Sequence, residues 1–235
     1  MPSVMVTGVR KPFILAWVAL AAAQAGDIEG TIIIKKKLSK RTVTPAASTY
    51  SRGSAVQLGS DPDGDPLTFE RMHVVIYLEG DLPSRPVTAV MEQKSRRFVP
   101  DLLVVPAAST VSFPNQDPLF HNVFSLSKPK LFDLGNYAKE QTRTVSFPKP
   151  GVVFVNCHLH PNMGAVIFVT PNQWSTRADA AGSFRLTGVP PGRYTIVAWH
   201  KAVGFVRRKI TVDQTNSTNV DFLLPFDENV TASNR

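Results

Sequence analysis

Four side chains with sulfur or nitrogen donors carry the chemistry that this sequence offers. Cys157, His160 and Met163 are spaced three residues apart, and His121 lies upstream of them. A thiolate and a thioether prefer Cu(I), whereas imidazole binds copper in both of its common oxidation states. Two histidines, one cysteine and one methionine are therefore the donor set expected of an electron-transfer copper site.

The elements around these residues must bring them to one point. An apolar run ends just before Cys157, and a second begins just after Gly164. A short loop between two strands turns its donors toward a common point. His121 is expected beside another strand, and a sandwich can bring it to the same end. We therefore expect the four donors to meet at one edge of a β-sandwich.

The rest of the chain also favours β structure. Short apolar and β-branched runs recur between glycine, proline and asparagine turns, and the 19 prolines suit loops and strand edges. This pattern predicts an all-β protein built from β-sandwiches. The predicted strands are 31–34, 74–78, 102–105, 110–113, 144–147, 152–156, 165–170, 183–186, 194–199, 205–212 and 220–224.

Several motifs resemble those of the cupredoxins. His121-Asn122 is followed by Cys-x₂-His-x₂-Met, with Phe-Val-Pro at 98–100 and Val-Ser-Phe at 111–113 leading in. The ligand loop most resembles that of amicyanin, and the His-Asn-Val step is shared with plastocyanin and amicyanin. Proteins described as methylamine-utilisation proteins have the same layout. The resemblance covers roughly residues 86–171 and implies a Greek-key sandwich.

The resemblance assigns a role to each residue around the loop. It implies one type 1 copper. The equatorial ligands would be His121, Cys157 and His160, and Met163 would be the weak axial ligand. The backbone N–H of Asn122 is expected to donate to the cysteine sulfur and to tune the reduction potential. An electron port for a transient redox partner, a cytochrome or a dehydrogenase, is expected at Leu159, His160, Pro161 and Asn162.

Residues 179–194 resemble a different kind of β-sandwich, found in transthyretin-like, carboxypeptidase regulatory-like and carbohydrate-binding-like modules. Gly182 is expected to close a hairpin and Gly192 to complete a turn before a strand. In such a module Trp174 and Trp199 offer aromatic faces for a sugar ring. Packing in the core or between domains is the other interpretation of both tryptophans, and the sequence favours it.

The opening strands of such modules resemble runs in the N-terminal part of this chain. We therefore predict that the cupredoxin unit is inserted into a split sandwich; a sequential order, with the cupredoxin domain at 26–171, stays open. The predicted division is a signal peptide (1–25), a split transthyretin-like sandwich (26–85 plus 173–226, with a long loop at 43–66), a cupredoxin copper domain (86–171) and a flexible tail (227–235).

The first residues have the three-part layout of a secretory signal peptide. Arg10 and Lys11 precede the apolar run 12–23, and Ala-Gln-Ala provides a cleavage site before Gly26. The apolar run is too short to cross about 30 Å of hydrocarbon comfortably. We expect a periplasmic or secreted protein with no transmembrane segment after cleavage of the signal.

Composition narrows the function further. The 235 residues include 26 basic and 18 acidic side chains, a net charge of +8, but aromatics are not interleaved with the basic ones, so nucleic acid is not an expected partner. The single cysteine excludes an internal disulfide and a paired-cysteine zinc or redox site. The histidines outside the donor set, His73, His158 and His200, are too few for a copper-oxidase cluster. We expect a carrier and no enzyme.

Other functions and one other ligand stay open at this stage. The other interpretations are a protein that stores or delivers copper, an extracellular carbohydrate-binding module with a vestigial metal site, and a degenerate domain without metal. His158 follows Cys157 directly, and on an extended backbone it should point away from it. We expect His158 to face solvent or the surroundings of the site; an alternative ligand is the other interpretation.

Overall fold

The computed structural model describes residues 25–38, 65–214 and 216–225. Nearly all of the predicted signal peptide, most of the predicted loop 43–66 and the predicted tail lie outside these ranges. Within them the fold is almost entirely β, which confirms the predicted fold class, and α1 (Thr68–Met72) is a short helix. No helix in the described ranges is long and apolar enough to span a membrane.

The strands are numbered in chain order. They are β1 (Gly26–Ile34), β2 (Val75–Glu79), β3 (Thr88–Val90), β4 (Glu92–Lys94), β5 (Arg97–Val99), β6 (Leu102–Pro106), β7 (Ser109–Pro114), β8 (His121–Ser127), β9 (Lys130–Tyr137), β10 (Thr142–Phe147), β11 (Gly151–Asn156), β12 (Gly164–Thr170), β13 (Ser175–Arg177), β14 (Ser183–Val189), β15 (Gly192–His200), β16 (Gly204–Val212), β17 (Thr218–Asn219) and β18 (Phe222–Leu224).

Two sheets contain the strands from both ends of the chain. One sheet has the order β14-β1-β17, with β18 also paired to β1, and the other has the order β13-β2-β15-β16. Side chains of both sheets form one buried cluster, including Ile28, Ile76 and Ile196. Gly30 permits the close approach of the C-terminal segment, since a Cβ there would lie 1.8 Å from the carbonyl oxygen of Val220. The N-terminal strands thus pair with the C-terminal ones.

The middle of the chain forms the sheets that hold the candidate donors. A three-stranded sheet, β10-β7-β3, packs against a five-stranded sheet, β6-β12-β11-β8-β9, and their side chains share a second buried cluster. Along β11, Val153 and Val155 point into this cluster, and Cys157 continues the same alternation. The division into a split domain and an inserted one stays a prediction.

A third buried cluster joins the two pairs of sheets. Val75 and Tyr77 of β2 and Trp199 of β15 pack against Val166 and Phe168 on the outer face of β12. β2 is therefore buried on both faces, which explains its continuous apolar sequence.

The tryptophans do not form an exposed platform for a sugar ring. Trp199 is only 4% exposed and lies between the sheets. Trp174 packs against the first buried cluster, and its Nε1–H donates to the carbonyl oxygen of Gly188 at 3.1 Å. The packing interpretation of both residues is therefore the correct one.

The hairpin of β8 and β9 was only partly predicted. A strand was expected beside His121, but β9 was not among the predicted strands. Apolar residues stand on both faces of this hairpin: Val123 is buried, whereas Leu126 is 78% and Leu131 66% exposed. The alternation that identifies a half-buried strand is therefore missing from its sequence.

Candidate metal centre

The loop between β11 and β12 has the position predicted for it. β11 ends at Asn156 and β12 begins at Gly164, and these two residues pair across the strands. Inside the loop, the Cys157 N–H donates to the Met163 carbonyl oxygen at 3.2 Å, and the Met163 N–H donates to the His160 carbonyl oxygen at 2.9 Å. These bonds fix a tight loop that holds Cys157, His160 and Met163 at one end of the sandwich.

Three predicted ligands come together at this end. The Nδ1 atoms of His121 and His160 are 3.1 Å apart, and the Cys157 Sγ atom lies 4.0 Å from the first and 3.7 Å from the second. Three donors at about 2.1 Å from one ion, in one plane, would lie about 3.6 Å apart. The observed spacings bracket that value, so the three atoms fit a single metal ion, and this donor set suits copper.

Asp117 orients the ring of His121. Its Oδ2 atom lies 2.8 Å from His121 Nε2, in a pair where the histidine side chain is fully buried. Because a carboxylate accepts this hydrogen bond, Nε2 carries the proton and Nδ1 presents its lone pair toward Cys157. Ligating histidines in metal sites are commonly fixed in this way. No motif in the sequence indicates this role for Asp117.

The same carboxylate holds the turn between β4 and β5. Ser95 and Arg96 form this two-residue turn with φ of 54° and 56°, values in the left-handed region that such hairpin turns need. Their N–H groups donate to Asp117 Oδ1 and Oδ2 at 2.6 and 2.8 Å. Burial alone would raise the pKa of Asp117, but hydrogen bonds from Arg96, His121 and Ser95 hold it below its ordinary value of 3.8.

Asn115 orders the segment that leads from β7 to His121. It is fully buried, and its Nδ2 donates to the carbonyl oxygens of Leu119 and Tyr137 at 2.8 and 3.1 Å. Its Oδ1 accepts the N–H of Asp117 at 2.9 Å. Asn115 therefore positions Asp117, and through it the ring of His121. Its place in a Phe-Pro-Asn sequence at a strand end was the signal for such a turn residue.

Asn122 contacts the sulfur as expected. Its backbone N–H donates to Cys157 Sγ at 3.4 Å, and its side-chain Nδ2 donates to Asp133 Oδ1 at 2.7 Å. The bond to Asp133 ties β8 to β9 and so helps to hold the backbone N–H of Asn122 against the sulfur. The effect of Asn122 on a reduction potential stays a prediction.

Met163 is buried in the same cluster as Cys157. It is 1% exposed, and its backbone closes the loop as described. It is therefore placed on the protein side of the loop and not on its surface. Its role as the axial ligand stays a prediction.

The surface beside His160 is apolar. His160 is partly exposed, Leu159 is 45% exposed, and Pro161 and Asn162 are exposed. Phe120, at 60% exposed, adds apolar surface at the residue before His121, which the sequence analysis did not predict. Partial burial and the charges of His121 and Arg96 lower the pKa of His160 below its ordinary value of 6.5.

His158 points away from the donor atoms. Its ring stacks on Phe124 with 3.7 Å between centroids and 3° between planes, and its Nε2 lies 3.4 Å from Asp133 Oδ2. Its side chain is 54% exposed. This is the solvent-facing position expected from the sequence.

Comparisons with known proteins find both kinds of sandwich. Residues 153–225 match the family described as Carboxypeptidase regulatory-like domain, a match that starts upstream of the predicted boundary at 173. No curated protein matches the chain. The solved structures that match include the Cu-containing nitrite reductase (NirK) from Thermus scotoductus SA-01, with 26% identity and a TM-score of 0.33 over 38% of this chain and 23% of that chain. This chain thus spans less than a quarter of the reductase.

Two other solved structures match over nearly their whole length. Amicyanin from Paracoccus versutus is 21% identical, with a TM-score of 0.33 over 40% of this chain and 97% of that chain. The purple cupredoxin from Nitrosopumilus maritimus is 21% identical, with a TM-score of 0.31 over 34% of this chain and 96% of that chain. Residues 153–225 are thus similar to a regulatory-like domain, and part of the chain is similar to cupredoxins.

Proposed function

We propose that this protein is an exported mononuclear type 1 copper protein that carries single electrons and catalyses no reaction of its own. The observation that carries the proposal is the cluster of three donor atoms, His121 Nδ1, Cys157 Sγ and His160 Nδ1, within 3.1 to 4.0 Å of one another. Copper bound there would supply a one-electron couple between Cu(I) and Cu(II).

The chain's own residues suit such a couple because they hold the donors still. Asp117 fixes the ring of His121, the Asn122 N–H contacts the sulfur, and two backbone bonds close the loop around Cys157. Cys157 is 4% exposed, so little water reaches the sulfur. Donors that are fixed by their surroundings need little rearrangement when the charge of the bound ion changes.

We place the electron port at His160, among Leu159, Pro161 and Asn162. Two observations support this. His160 is the partly exposed member of the three donor residues, and the residues next to it in the loop are exposed. A small apolar surface of this kind suits a partner that binds briefly and leaves, such as a cytochrome or a dehydrogenase.

We place the protein in the periplasm or outside the cell. The support is the signal-like sequence of residues 1–25 and the presence of one cysteine, which would otherwise be an unpaired thiol in an oxidising compartment.

We also propose the inserted arrangement of the two sandwiches. The pairing of β1 and β2 with C-terminal strands supports it.

Voltammetry of the copper-loaded protein tests the carrier function. A reversible one-electron wave, with protein-bound copper retained through repeated cycles, is the expected result. A protein that binds Cu(I) only and releases copper on oxidation would contradict the proposal and identify a delivery protein. The Asp133→Asn variant is a control that should also give a reversible wave, since its Oδ1 can keep the hydrogen bonds from Asn122 and Gly135 and its side chain contacts none of the donor atoms.

A further inference from the structure

One face of the five-stranded sheet is only half covered. Its outward side chains run from β12 across β11 and β8 to β9, and the neighbouring sheet covers those of β12. The exposed fraction is 7% at Val166 on β12 and 41% at Phe154 on β11, and it reaches 78% at Leu126 on β8 and 66% at Leu131 on β9. Adjacent apolar side chains with this much exposure mark an interaction surface more often than an ordinary monomer surface.

These side chains are neighbours in space. Leu126 pairs with Leu131 across β8 and β9, and the Phe154 N–H donates to Ser127 Oγ at 2.8 Å, which places β11 beside them. Side chains two residues apart on a strand share a face, so Phe124 lies on the same side as Leu126. The exposed strip is defined as Phe124, Leu126, Leu131 and Phe154.

The charge around the exposed strip is positive. Lys201 Nζ lies 5.4 Å from the centre of the Phe154 ring, and Lys128 is exposed in the turn between β8 and β9. Asp133 puts one negative charge on this face, against the two lysines; it accepts a hydrogen bond from Asn122 at 2.7 Å and lies 3.4 Å from His158 Nε2. A partner with carboxylates around an apolar centre would complement this surface, whereas a second copy of the chain would bring lysine against lysine.

His158 joins the exposed strip to the candidate metal centre. It follows Cys157 in the chain, and its ring stacks on Phe124 at 3.7 Å. The surface formed by its ring is therefore one peptide bond from the candidate sulfur ligand. This surface is separate from the loop residues that surround His160.

We propose that the exposed strip, with Lys128 and Lys201 beside it and His158 at its edge, is the binding surface for an acidic protein partner. That the partner is a redox protein rests on the proposed function; that it binds here rests on the apolar exposure and the charge. The protein then has a second docking surface, distinct from the one at His160.

Binding is tested on the full mature chain without copper, so that the result does not depend on the metal. The probe is a soluble acidic cytochrome whose haem edge is ringed by carboxylates, and a basic cytochrome serves as the control probe. NMR resonances of the metal-free protein report the contact surface, and calorimetry gives the Kd. The variants are Leu126→Gln and Lys128→Glu on the exposed strip, with Phe120→Gln as the matched control at the His160 end. Leu126 and Phe120 are both largely exposed, so neither change should disturb the fold.

The expected result is a saturable complex with the acidic cytochrome that shifts the resonances of Leu126, Leu131 and His158. Leu126→Gln and Lys128→Glu should each raise the Kd of this complex about fivefold. Higher salt should also raise the Kd, because it screens the charged contact. Phe120→Gln should leave the Kd unchanged. The inference is overturned by no saturable binding, by equal binding of the basic cytochrome, or by a complex that only Phe120→Gln weakens. None of these outcomes would contradict the proposed copper site, because the spectrum of the copper-loaded protein tests that site separately.

Discussion

Asp117→Asn is the substitution that separates a metal-binding role of this cluster from mere packing. The carboxylate accepts three hydrogen bonds: from the N–H of Ser95 at Oδ1, and from the N–H of Arg96 and the Nε2–H of His121 at Oδ2. An asparagine keeps the first of these. Its amide nitrogen, which is a donor, then replaces Oδ2 and faces two other donors, the Arg96 N–H and the His121 Nε2–H. One of these two groups must become an acceptor for a hydrogen bond to form.

His121 is the partner that can change, because its ring can move its proton from Nε2 to Nδ1 and accept from the amide. The proton would then stand on the atom that lies 3.1 Å from His160 Nδ1 and 4.0 Å from Cys157 Sγ, where a metal ion needs a lone pair. Loss of such a supporting contact typically weakens metal binding about 10- to 100-fold. The Arg96 N–H loses its acceptor in an exposed turn, where water can replace it, so the free energy of unfolding should fall by only about 0.5–1.5 kcal/mol.

Two measurements check this prediction. Nitrogen NMR of metal-free protein shows which ring nitrogen of His121 is protonated, and competition with a copper chelator gives the affinity. The control is Asp133→Asn, whose Oδ1 can keep the bonds from Asn122 and Gly135, so its copper affinity should match that of the original chain. An Asp117→Asn variant with the original tautomer and undiminished copper affinity would refute the reasoning.

Three further predictions concern the sulfur ligands and the acid stability. Cys157→Ser should abolish the visible colour of the Cu(II) form while leaving the fold intact by circular dichroism, since a serine oxygen cannot replace thiolate covalency; a variant that stays blue would overturn the ligand assignment. Met163→Leu should keep copper but raise its reduction potential, because loss of a weak donor destabilises Cu(II) more than Cu(I); an unchanged potential in voltammetry would show that Met163 is not axial. A hydrogen bond from His73, opposed by partial burial, holds the pKa of Asp101 below its ordinary value of 3.8, so its stabilising effect should be present above pH 3.8 and be lost as the pH falls through the lower pKa of the folded state. Asp101→Asn should therefore flatten the decline in unfolding free energy below pH 4 in denaturant titrations, and an unchanged decline would contradict the assignment.

The ligand loop could be predicted because its information is local. Cys157, His160 and Met163 stand between two apolar runs, and the strands they predict, β11 and β12, are present and paired. The sequence also places His158 away from the donors, because neighbouring side chains on extended backbone point in opposite directions.

The support around the loop could not be predicted, because it depends on contacts that are distant in sequence. Asp117 becomes important only when the turn at Ser95 and Arg96 comes to lie against it, and an isolated aspartate in a loop gives no sign of that. The exposed strip was missed for a related reason. Leu126 and Leu131 look like core residues in the sequence, and only the pairing of β8 with β9 shows that they face outward.

The proposed copper site depends on Cys157, His121 and His160 binding the ion through the sulfur and two ring nitrogens. Its most direct test is the electronic and EPR spectrum of the purified protein after addition of one equivalent of Cu(II). The expected spectrum has an intense visible thiolate-to-copper charge-transfer band and narrow hyperfine splitting. A colourless protein, or one with the weak absorption and wide splitting of copper bound without thiolate, would contradict it.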